Sequence, residues 1–357
     1  MKQLIEITRK LVAFKTVSED QQAIEACFSY IEQELKDAPL ILKRYCKNGV
    51  SSRVWLTEDT LEPEILLCAH LDVVPASEKL FILKEDNGKL TGRGVSDMKF
   101  AIASFIVALK KLAEDKKIPK SLGIIITSDE ENGGVNGVGY LVDEVGYKPK
   151  VVIIPDGGDN WKIVTQAKGV LQLKLIVKGK SAHASMPWEG DSAIDKLASV
   201  CSKIRSRFPI PKKEVWKITV NFGKISGGLK ANQVSDRAEL VLDIRYIPED
   251  SAEHIQKEIE SLSEKCIVEK IVQANPFSTP IENPYIKKWE QLILSNMSER
   301  NVFCREHGAS DGRFFSQDTA VILSKPNGGG IHTEHEWLDT SSLLQFTNLL
   351  ITFIKSL

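Results

Sequence analysis

The chain lacks the cysteine pattern of a metal cluster or a disulfide framework. It contains 6 cysteines in 357 residues, and no two of them form a Cys-x-x-Cys pair. No apolar run approaches the ~20 residues that a membrane-spanning helix needs. The net charge of −1 gives no electrostatic reason to expect nucleic acid or an anionic membrane as a partner. We therefore expect a reduced, cytoplasmic protein that binds neither of them.

Apolar residues make up 42% of the chain and charged residues 27%, which is typical of a globular protein. The length exceeds what one hydrophobic core usually holds, so two domains are expected. At the N-terminus, Glu6 and Arg9 interrupt an apolar pattern. This pattern predicts an amphipathic helix and not a signal peptide.

Three short apolar runs are typical of strands buried on both faces, and each is followed by histidine or carboxylate side chains. Helical segments alternate with them, which predicts an α/β fold with a mostly parallel sheet and helices on both faces. Ligands of such sheets bind outside the carboxyl ends of the strands. The runs are 65–69, before His70 and Asp72; 122–127, before Asp129, Glu130 and Glu131; and 151–155, before Asp156.

The side chains that follow these strands predict a metal centre. One histidine and four to six carboxylates would converge at one edge of the sheet. Such carboxylates repel one another by several kcal/mol unless cations neutralise them. Mixed nitrogen and oxygen ligands suit zinc, cobalt or manganese. We therefore expect a two-metal hydrolytic centre.

Local readings of the same region leave alternatives open. Asp97 precedes an apolar helix predicted over residues 98–115 and is suited to capping it. The carboxylates at 129–131 are also compatible with a solvated acidic turn. The pair Asn48-Gly49 predicts a hairpin within residues 41–55, and the stretch after residue 83 is interpreted as a polar loop.

Residues 168–280 differ in character from the rest. Apolar and polar residues alternate over 169–177, a helix is predicted over 192–207, and further strands over 216–222 and 238–246. The order strand-helix-strand-strand-helix-strand predicts a small α+β sandwich of the ferredoxin-like type. We expect it to be inserted between the two parts of the main domain, residues 1–167 and 281–357.

Seven motifs follow one another along nearly the whole chain: AHLD (69–72), GRGVSDMK (92–99), DEENGG (129–134), IPDGG (154–158), GKSAHAS (179–185), GASDGRF (308–314) and HTEHEW (332–337). Together they closely resemble the M20 family of metallopeptidases, which contains carboxypeptidase G2-like enzymes, aminoacylases, deacetylases, desuccinylases and dipeptidases. The resemblance implies hydrolysis of an amide bond in a small N-acyl amino acid or short peptide with a free carboxylate. It also implies two divalent metal ions, zinc first, with cobalt or manganese as alternatives.

The resemblance implies the metal ligands residue by residue. His70 and Asp156 would bind one metal, and Glu131 and His332 would bind the second. Asp97 would bridge both, with a cis peptide bond after it. These five residues come from the motifs AHLD, GRGVSDMK, DEENGG, IPDGG and HTEHEW.

The resemblance also implies roles around the metals. Glu130 would be the general base that takes a proton from water and returns it to the leaving amine. Asp72 would orient His70. His183, on an inserted lid that also serves dimerisation, would stabilise the oxyanion, often from the partner subunit. The substrate carboxylate would be held by Asn232, Arg245 and Arg313.

Each of these assignments has a rival. His335 is an alternative ligand to His332, although the spacing His-x-x-x-Glu before an aromatic residue favours His332. His183 could be an ordinary strand-end histidine, and Arg245 could form a structural salt bridge. Three positions depart from the common family pattern: Asp156 where many members have Glu, Phe100 where Gly is common, and the Gly328-Gly329-Gly330 loop in place of Gly-Pro.

Two substrate classes remain open within the enzyme reading. GASDGRF resembles the desuccinylase branch and favours a deacylase, whereas Asp156 and the Asp-Gly-Gly motif also occur in dipeptidase-like members. A catalytically inactive metal- or ligand-binding relative is a separate alternative, although the base and all ligands are present. A structural or interaction module has only a possible homodimer surface in its favour.

Overall fold

The structure, a computed structural model, describes residues 1–264, 266–297, 302–315 and 318–357. The chain divides into two compact units. The first comprises Met1–Thr165, Thr279–Glu306 and Ser310–Leu357, and the second comprises Gln166–Ser278 and His307–Ala309. The expected borders of the inserted segment, at 168 and 280, lie close to these limits.

The described residues form α-helices and strands along both units. The helices are α1 Lys2–Ala13, α2 Gln21–Leu35, α3 Lys99–Glu114, α4 Ala193–Arg207, α5 Ala252–Leu262, α6 Pro284–Asn296 and α7 Thr340–Lys355. The strands are β1 Ile41–Lys47, β2 Val50–Leu56, β3 Ile65–His70, β4 Lys84–Asp86, β5 Lys89–Thr91, β6 Leu122–Thr127, β7 Val151–Ile154, β8 Ile163–Ala167, β9 Gly169–Lys178, β10 Thr219–Gly227, β11 Arg237–Tyr246, β12 Cys266–Ala274, β13 Phe277–Ser278, β14 Phe303–Glu306, β15 Ala320–Leu323, β16 Gly328–Gly329 and β17 Trp337–Asp339. Within the part of the chain that the structure describes, no helix combines the length and the apolarity needed to cross a membrane.

The first unit is built on a six-stranded sheet with the order β1-β2-β6-β3-β7-β15. The pairs β3/β6, β3/β7 and β7/β15 are parallel, and β1/β2 and β2/β6 are antiparallel. Every residue of β3, β6 and β7 is buried, which explains why these strands read as continuous apolar runs. The predicted α/β fold is therefore present as a large mixed sheet.

The position of β3 in this sheet decides where the functional side chains meet. It pairs in parallel with β6 on one side and with β7 on the other. The carboxyl ends of the three strands therefore lie side by side at one edge. The chain leaves β3, crosses to β6 on one side and then returns past β3 to β7 on the other. The order of the strands reverses at this point, which is where α/β proteins bind their ligands.

Helix α3 fills the core of the first unit. Phe100, in its first turn, is fully buried and packs edge-on against Phe346 of α7, with ring centroids 5.6 Å apart. The aromatic side chain at this position, where glycine is common in the M20 pattern, therefore contributes apolar contact between α3 and α7. Such a pair adds about 0.5–1.5 kcal/mol beyond its buried area.

The interpretation of residues after 83 as a polar loop was wrong. Strands β4 and β5 form a short hairpin across Asn87-Gly88, and β5 also pairs with β17, with Trp337 opposite Thr91. The second pairing joins segments almost 250 residues apart, and local polarity gave no sign of it. It places Glu336, directly before β17, beside the loop at 92–97.

The second unit is a four-stranded antiparallel sheet with the order β10-β11-β9-β12 and two helices, α4 and α5. Along the chain the elements run β9-α4-β10-β11-α5-β12. Alternate side chains of β9, such as Leu173 and Leu175, share one apolar core with Leu197 of α4 and Ile259 of α5. This core explains the alternating pattern of β9 in the sequence.

Strand β10 differs from its predicted bounds of 216–222. It begins at Thr219 and continues to Gly227, with a bulge between Phe222 and Lys224. The glycines at 223 and 227 weaken the local strand signal. Pairing with β11 over the whole length supplies the hydrogen bonds that the sequence did not reveal.

Candidate metal centre

The ends of β3 and β6 bring buried carboxylates to the His70 ring. His70 is the last residue of β3 and is 1% exposed. After β6, the side chain of Asp129 is buried and accepts backbone hydrogen bonds from Asn136 (2.9 Å) and Gly137 (3.0 Å). Burial raises the pKa of Asp129 to about 6. This segment is therefore not a solvated acidic turn.

Asp97 lies between two histidines. Its Oδ1 is 3.2 Å from His70 Nε2, and its Oδ2 is 3.1 Å from His332 Nε2. Helix α3 has Met98 at its N-cap position, with no side-chain cap, so the alternative role of Asp97 as a helix cap is wrong. The peptide bond between Asp97 and Met98 is cis. The geometry is that of a carboxylate that presents one oxygen to each of two sites.

Two sets of candidate ligands result, and they share Asp97. One set is His70, Asp97 and Asp156, and the other is Asp97, Glu131 and His332. In each set the ligand atoms lie within 4.8 Å of one another. Each set offers one imidazole nitrogen and carboxylate oxygens, a mixture that suits zinc, cobalt or manganese. The structure thus brings together all five residues that the resemblance implied as ligands.

His332, and not His335, reaches these carboxylates. Its Nε2 is 3.1 Å from Glu131 Oε2 as well as from Asp97 Oδ2. Its backbone has a φ of 61°, a left-handed conformation that is uncommon outside glycine. The side chain of His335 is exposed. The loop thus adopts a conformation in which the first histidine of HTEHEW turns toward the site.

The carboxylates around His70 and His332 raise the pKa of both imidazoles. Burial opposes protonation of His70, but hydrogen bonds with Asp72 and Asp97 outweigh it and hold the pKa of His70 well above its usual range. Hydrogen bonds with Asp97 and Glu131 raise the pKa of His332 to about 10. The carboxylates therefore favour the positively charged form of each imidazole. A divalent cation in each set would replace the added proton, so the donors fit two metal ions.

Glu130 is adjacent to the ligand Glu131 but belongs to neither ligand set among the described residues. Its Oε2 lies 3.9 Å from His70 Nε2, and only 14% of its side chain is exposed. Burial, followed by the negative charge of Asp156, raises the pKa of Glu130 well above its usual range. A free carboxylate with raised proton affinity beside a metal site suits a general base.

Asp72 connects His70 with the two glutamates. Its fully buried carboxylate accepts hydrogen bonds from the backbone N–H groups of Glu130 and Glu131 (3.3 and 3.1 Å) and from the hydroxyl of Ser18 (3.0 Å). His70 Nδ1 bonds to the backbone carbonyl of Asp72 at 3.0 Å, while the carboxylate lies 3.5 Å away. Asp72 therefore orients the ring through its main chain and holds the glutamate loop through its side chain.

Glu336 was not identified from the sequence as a site residue. Its fully buried carboxylate accepts hydrogen bonds from Arg93 Nη1 (2.7 Å) and from the backbone N–H groups of Gly94, Ser96 and Asp97 (3.0, 2.9 and 3.1 Å). It thereby fixes the loop that ends in the shared ligand Asp97. In the sequence, its position four residues after His332 was the available signal. The β5/β17 pairing explains how Glu336 reaches the loop at 92–97.

Three residues predicted to act on substrate lie in the second unit. His183 is exposed, and its Nδ1 accepts a hydrogen bond from the backbone N–H of Ser185 at 3.2 Å. Asn232 is exposed as well, and its backbone carbonyl accepts the N–H of Ala184 at 3.0 Å. The guanidinium of Arg245 pairs with Asp243 at 2.7 Å.

Arg313, the fourth of these residues, lies in the first unit. Its Nη1 donates to the carbonyl of Ser310 (2.9 Å), and its Nη2 donates to the carbonyl of Gly133 (2.6 Å). The guanidinium also lies 4.4 Å from the Phe314 ring centroid. These bonds tie the loop after Glu131 to the short helix Asp311–Phe314, which is a structural role.

The chain is similar to known proteins in both sequence and structure. A succinyl-diaminopimelate desuccinylase of Halorhodospira halophila is 25% identical over 366 residues, which covers 96% of this chain and 95% of the relative. A tripeptidase from Staphylococcus aureus has a TM-score of 0.81 at 22% identity, with 99% of this chain and 98% of that chain covered. A Bacillus subtilis protein described as a dinuclear metal-binding peptidase of the M20 family has a TM-score of 0.74 at 14% identity, with 99% and 97% covered.

At such identities the two structural comparisons establish the fold. The family assignment has a separate basis, since the profile of peptidase family M20/M25/M40 matches residues 66–356, which include both ligand sets. The order of the motifs, the shared carboxylate of Asp97 and this match agree, and the chain belongs to peptidase family M20/M25/M40.

Proposed function

We propose that this protein is a two-metal hydrolase that cleaves the amide bond of a small N-acyl amino acid or short peptide with a free carboxylate. One observation carries the proposal: two ligand sets share Asp97 and leave the neighbouring Glu130 free. A metal-binding protein without catalysis needs the ligands alone. The free, buried carboxylate beside them is what amide hydrolysis requires in addition.

Two divalent metal ions would be held by the described residues, most simply zinc, with cobalt or manganese as alternatives. His70, Asp97 and Asp156 would hold one ion, and Asp97, Glu131 and His332 would hold the other. When bound, the metals supply Lewis acidity, which polarises the scissile carbonyl and makes water a better nucleophile at neutral pH.

Glu130 performs the proton transfers. Its carboxylate accepts a proton from the attacking water and delivers it to the amine nitrogen as the C–N bond breaks. Burial raises the pKa of Glu130, which suits a carboxyl that accepts a proton in one step and donates it in the next. Asp72 keeps Glu130 in place, because its carboxylate accepts the Glu130 N–H, while its main-chain carbonyl orients His70.

His183 donates a hydrogen bond to the oxyanion in this proposal. Since Nδ1 accepts the N–H of Ser185, the neutral ring carries its proton on Nε2, where it is available as a donor. The substrate carboxylate is bound by Asn232, Arg245 and Arg313. Arg245 and Arg313 would use the N–H groups that Asp243 and the two backbone carbonyls leave free.

Two substrate classes have support of different kinds. The Halorhodospira halophila relative is a desuccinylase, which favours an N-acyl amino acid. The Staphylococcus aureus structure is a tripeptidase, which favours a short peptide. The relative matches at slightly higher sequence identity over nearly its whole length, so we place deacylation first and peptidase or carboxypeptidase activity second.

The second unit would serve as a ferredoxin-like lid and as a dimerisation domain. Its βαββαβ order and its strand order β10-β11-β9-β12 support the ferredoxin-like assignment. It also exposes large apolar side chains, with Trp188 77% and Leu229 89% accessible. Exposed apolar patches of this kind mark association surfaces, and a second copy of the chain is the partner we propose.

The proposal is tested by amine release from a panel of N-acetyl and N-succinyl amino acids and unblocked di- and tripeptides. Full-length protein loaded with zinc, cobalt or manganese is used, and chelated protein is the control. Turnover of acylated amino acids alone identifies a deacylase, and turnover of peptides alone identifies a peptidase. Two bound metals without turnover of any member would favour the inactive, ligand-binding alternative.

A further inference from the structure

A carboxylate outside both ligand sets lies against the loop that carries Asp156. Glu306 is the last residue of β14 and is half-buried. Its Oε1 accepts a hydrogen bond from the backbone N–H of Gly158 at 2.6 Å. The carboxylate of Glu306 therefore holds the backbone of Gly158, which lies two residues after the candidate ligand Asp156.

The two glycines after Asp156 make this contact possible. Gly157 has a φ of 138° and Gly158 a φ of 71°, conformations that favour glycine. A Cβ on Gly157 would lie 2.8 Å from Glu306 Oε2, which is closer than real Cβ contacts. The carboxylate of Glu306 thus lies directly on the bare backbone of the Asp-Gly-Gly turn.

Lys325 holds the same turn from another direction. Its backbone N–H donates to the carbonyl of Gly158 at 3.4 Å, and its Nζ pairs with Asp159 at 3.1 Å. The N–H and the carbonyl of Gly158 therefore each have a hydrogen-bond partner in the first unit. Among the residues that the structure describes, the side chain of Glu306 is the partner of the Gly158 N–H, so the contact is open to a mutational test.

We infer that Glu306 is a positioning residue for the metal site formed by His70, Asp97 and Asp156, acting through the Gly158 backbone on the direction of the Asp156 carboxylate. The inference rests on the proposed function, because it requires a metal in that ligand set. The negative charge of Glu306 also favours metal binding, since it attracts a cation toward the site formed by His70, Asp97 and Asp156. Loss of the residue therefore weakens one metal site selectively.

The variant Glu306→Ala should lower the affinity of one of the two metal sites by about 10–100-fold, the usual effect of removing a residue that supports a ligand. The second site should change by no more than about 2–3-fold, because none of its own ligands contacts Glu306 or Gly158 in the described residues. Metal-free full-length protein is titrated with Zn²⁺ or Mn²⁺ by calorimetry with a competing chelator, and bound ions are counted by native mass spectrometry.

The matched control is Asp159→Asn. It removes the same charge from the same turn, but the Asp159 side chain is 60% exposed and pairs with Lys325. A change below about 3-fold is expected there, because the Gly158 backbone keeps its hydrogen bonds with Glu306 and with the Lys325 backbone. Glu306→Gln keeps an acceptor oxygen for Gly158 and loses the charge, so its affinity should lie between those of wild type and Glu306→Ala.

The outcomes separate this inference from the proposed function. Selective loss at one site in Glu306→Ala supports it, with Asp159→Asn near wild type. Two unchanged affinities, equal losses at both sites, or equal effects in Asp159→Asn overturn it while the two-metal proposal stands. A wild-type chain that binds no divalent metal overturns both. If Glu306→Ala does not fold, Glu306→Asp decides, because it keeps the charge but shortens the side chain that reaches Gly158. Wild-type affinities in that variant overturn the inference.

Discussion

The carboxylate of Asp72 binds the backbone of Glu130: its Oδ1 accepts the Glu130 N–H at 3.3 Å. The same carboxylate accepts the N–H of Glu131 through Oδ2 at 3.1 Å. One buried side chain at the end of β3 therefore sets the positions of the proposed base and of a proposed metal ligand. Asp72 therefore orients His70 through its main chain and aligns Glu130 and Glu131 through its side chain.

Asp72→Asn should reduce metal affinity or turnover by about 10–100-fold. An amide has one oxygen, whereas Asp72 accepts from three donors, so its NH₂ group would face an N–H or O–H without an acceptor. Calorimetric metal titration and steady-state kinetics measure the effect. Ser18→Ala is the control, because it removes one of the three donors and leaves both backbone bonds. An Asp72→Asn protein with wild-type metal affinity and turnover would show that these hydrogen bonds have no role in the site.

Glu336→Ala should destabilise the metal-free protein by about 3–5 kcal/mol, because it leaves the buried guanidinium of Arg93 without its carboxylate. Urea denaturation followed by circular dichroism measures the free energy of unfolding. Glu334→Ala provides the comparison, since Glu334 lies two residues earlier and bonds at the surface to Ser77 and Lys79. Equal stability of the two variants would contradict the role given to Glu336.

The core of this site was readable from the sequence because its signals are local. The apolar run at 122–127 coincides with β6. The last residue of β3 is His70, and the segments after β6 and β7 provide Glu131 and Asp156. Parallel pairing of three buried strands then determines that their ends meet. The strand-end motifs predicted that these side chains converge, and the resemblance to the M20 family implied which of them are ligands.

The residues that position the ligands, Glu336 and Glu306, could not be predicted from the sequence, because their contacts join distant segments of the chain. Glu336 reaches Asp97 across 239 positions, and Glu306 reaches Gly158 across 148. The pairing of β5 with β17 was missed for the same reason. The β4/β5 hairpin had a local signal, the Asn87-Gly88 turn, which the polar composition of the segment obscured. Residues in charged or polar surroundings give no periodic signal, and their burial depends on tertiary pairing.

His183→Ala should lower kcat by about 10²–10³-fold if the ring donates to the oxyanion. The exposed position of His183 means that the substitution should leave thermal stability unchanged. Ser185→Ala is a matched control, because it removes the 2.7 Å bond of the hydroxyl to Nδ1 and keeps the backbone bond that sets the tautomer. Unchanged kcat in His183→Ala would leave this histidine with a structural role only.

The dimer proposal is tested by the mass of the protein in solution. Wild type should sediment at about twice the chain mass of 39.8 kDa. Trp188→Glu combined with Leu229→Glu should give the monomer, since charges would replace exposed apolar side chains of the second unit. Ile82→Glu, at a residue 67% exposed in the first unit, should leave the dimer intact. A monomeric wild type would exclude this surface as a self-association site.

The most direct test of the central claim is the metal content and turnover of Glu130→Ala measured on the same sample. Since Glu130 belongs to neither ligand set, the variant should retain two metal ions per chain with wild-type affinity. Its turnover should fall by at least about 10²–10⁴-fold, because general base and general acid are both removed. Two bound metals with near-wild-type turnover would contradict the mechanism, and loss of a metal would show that Glu130 is a ligand and not the free base.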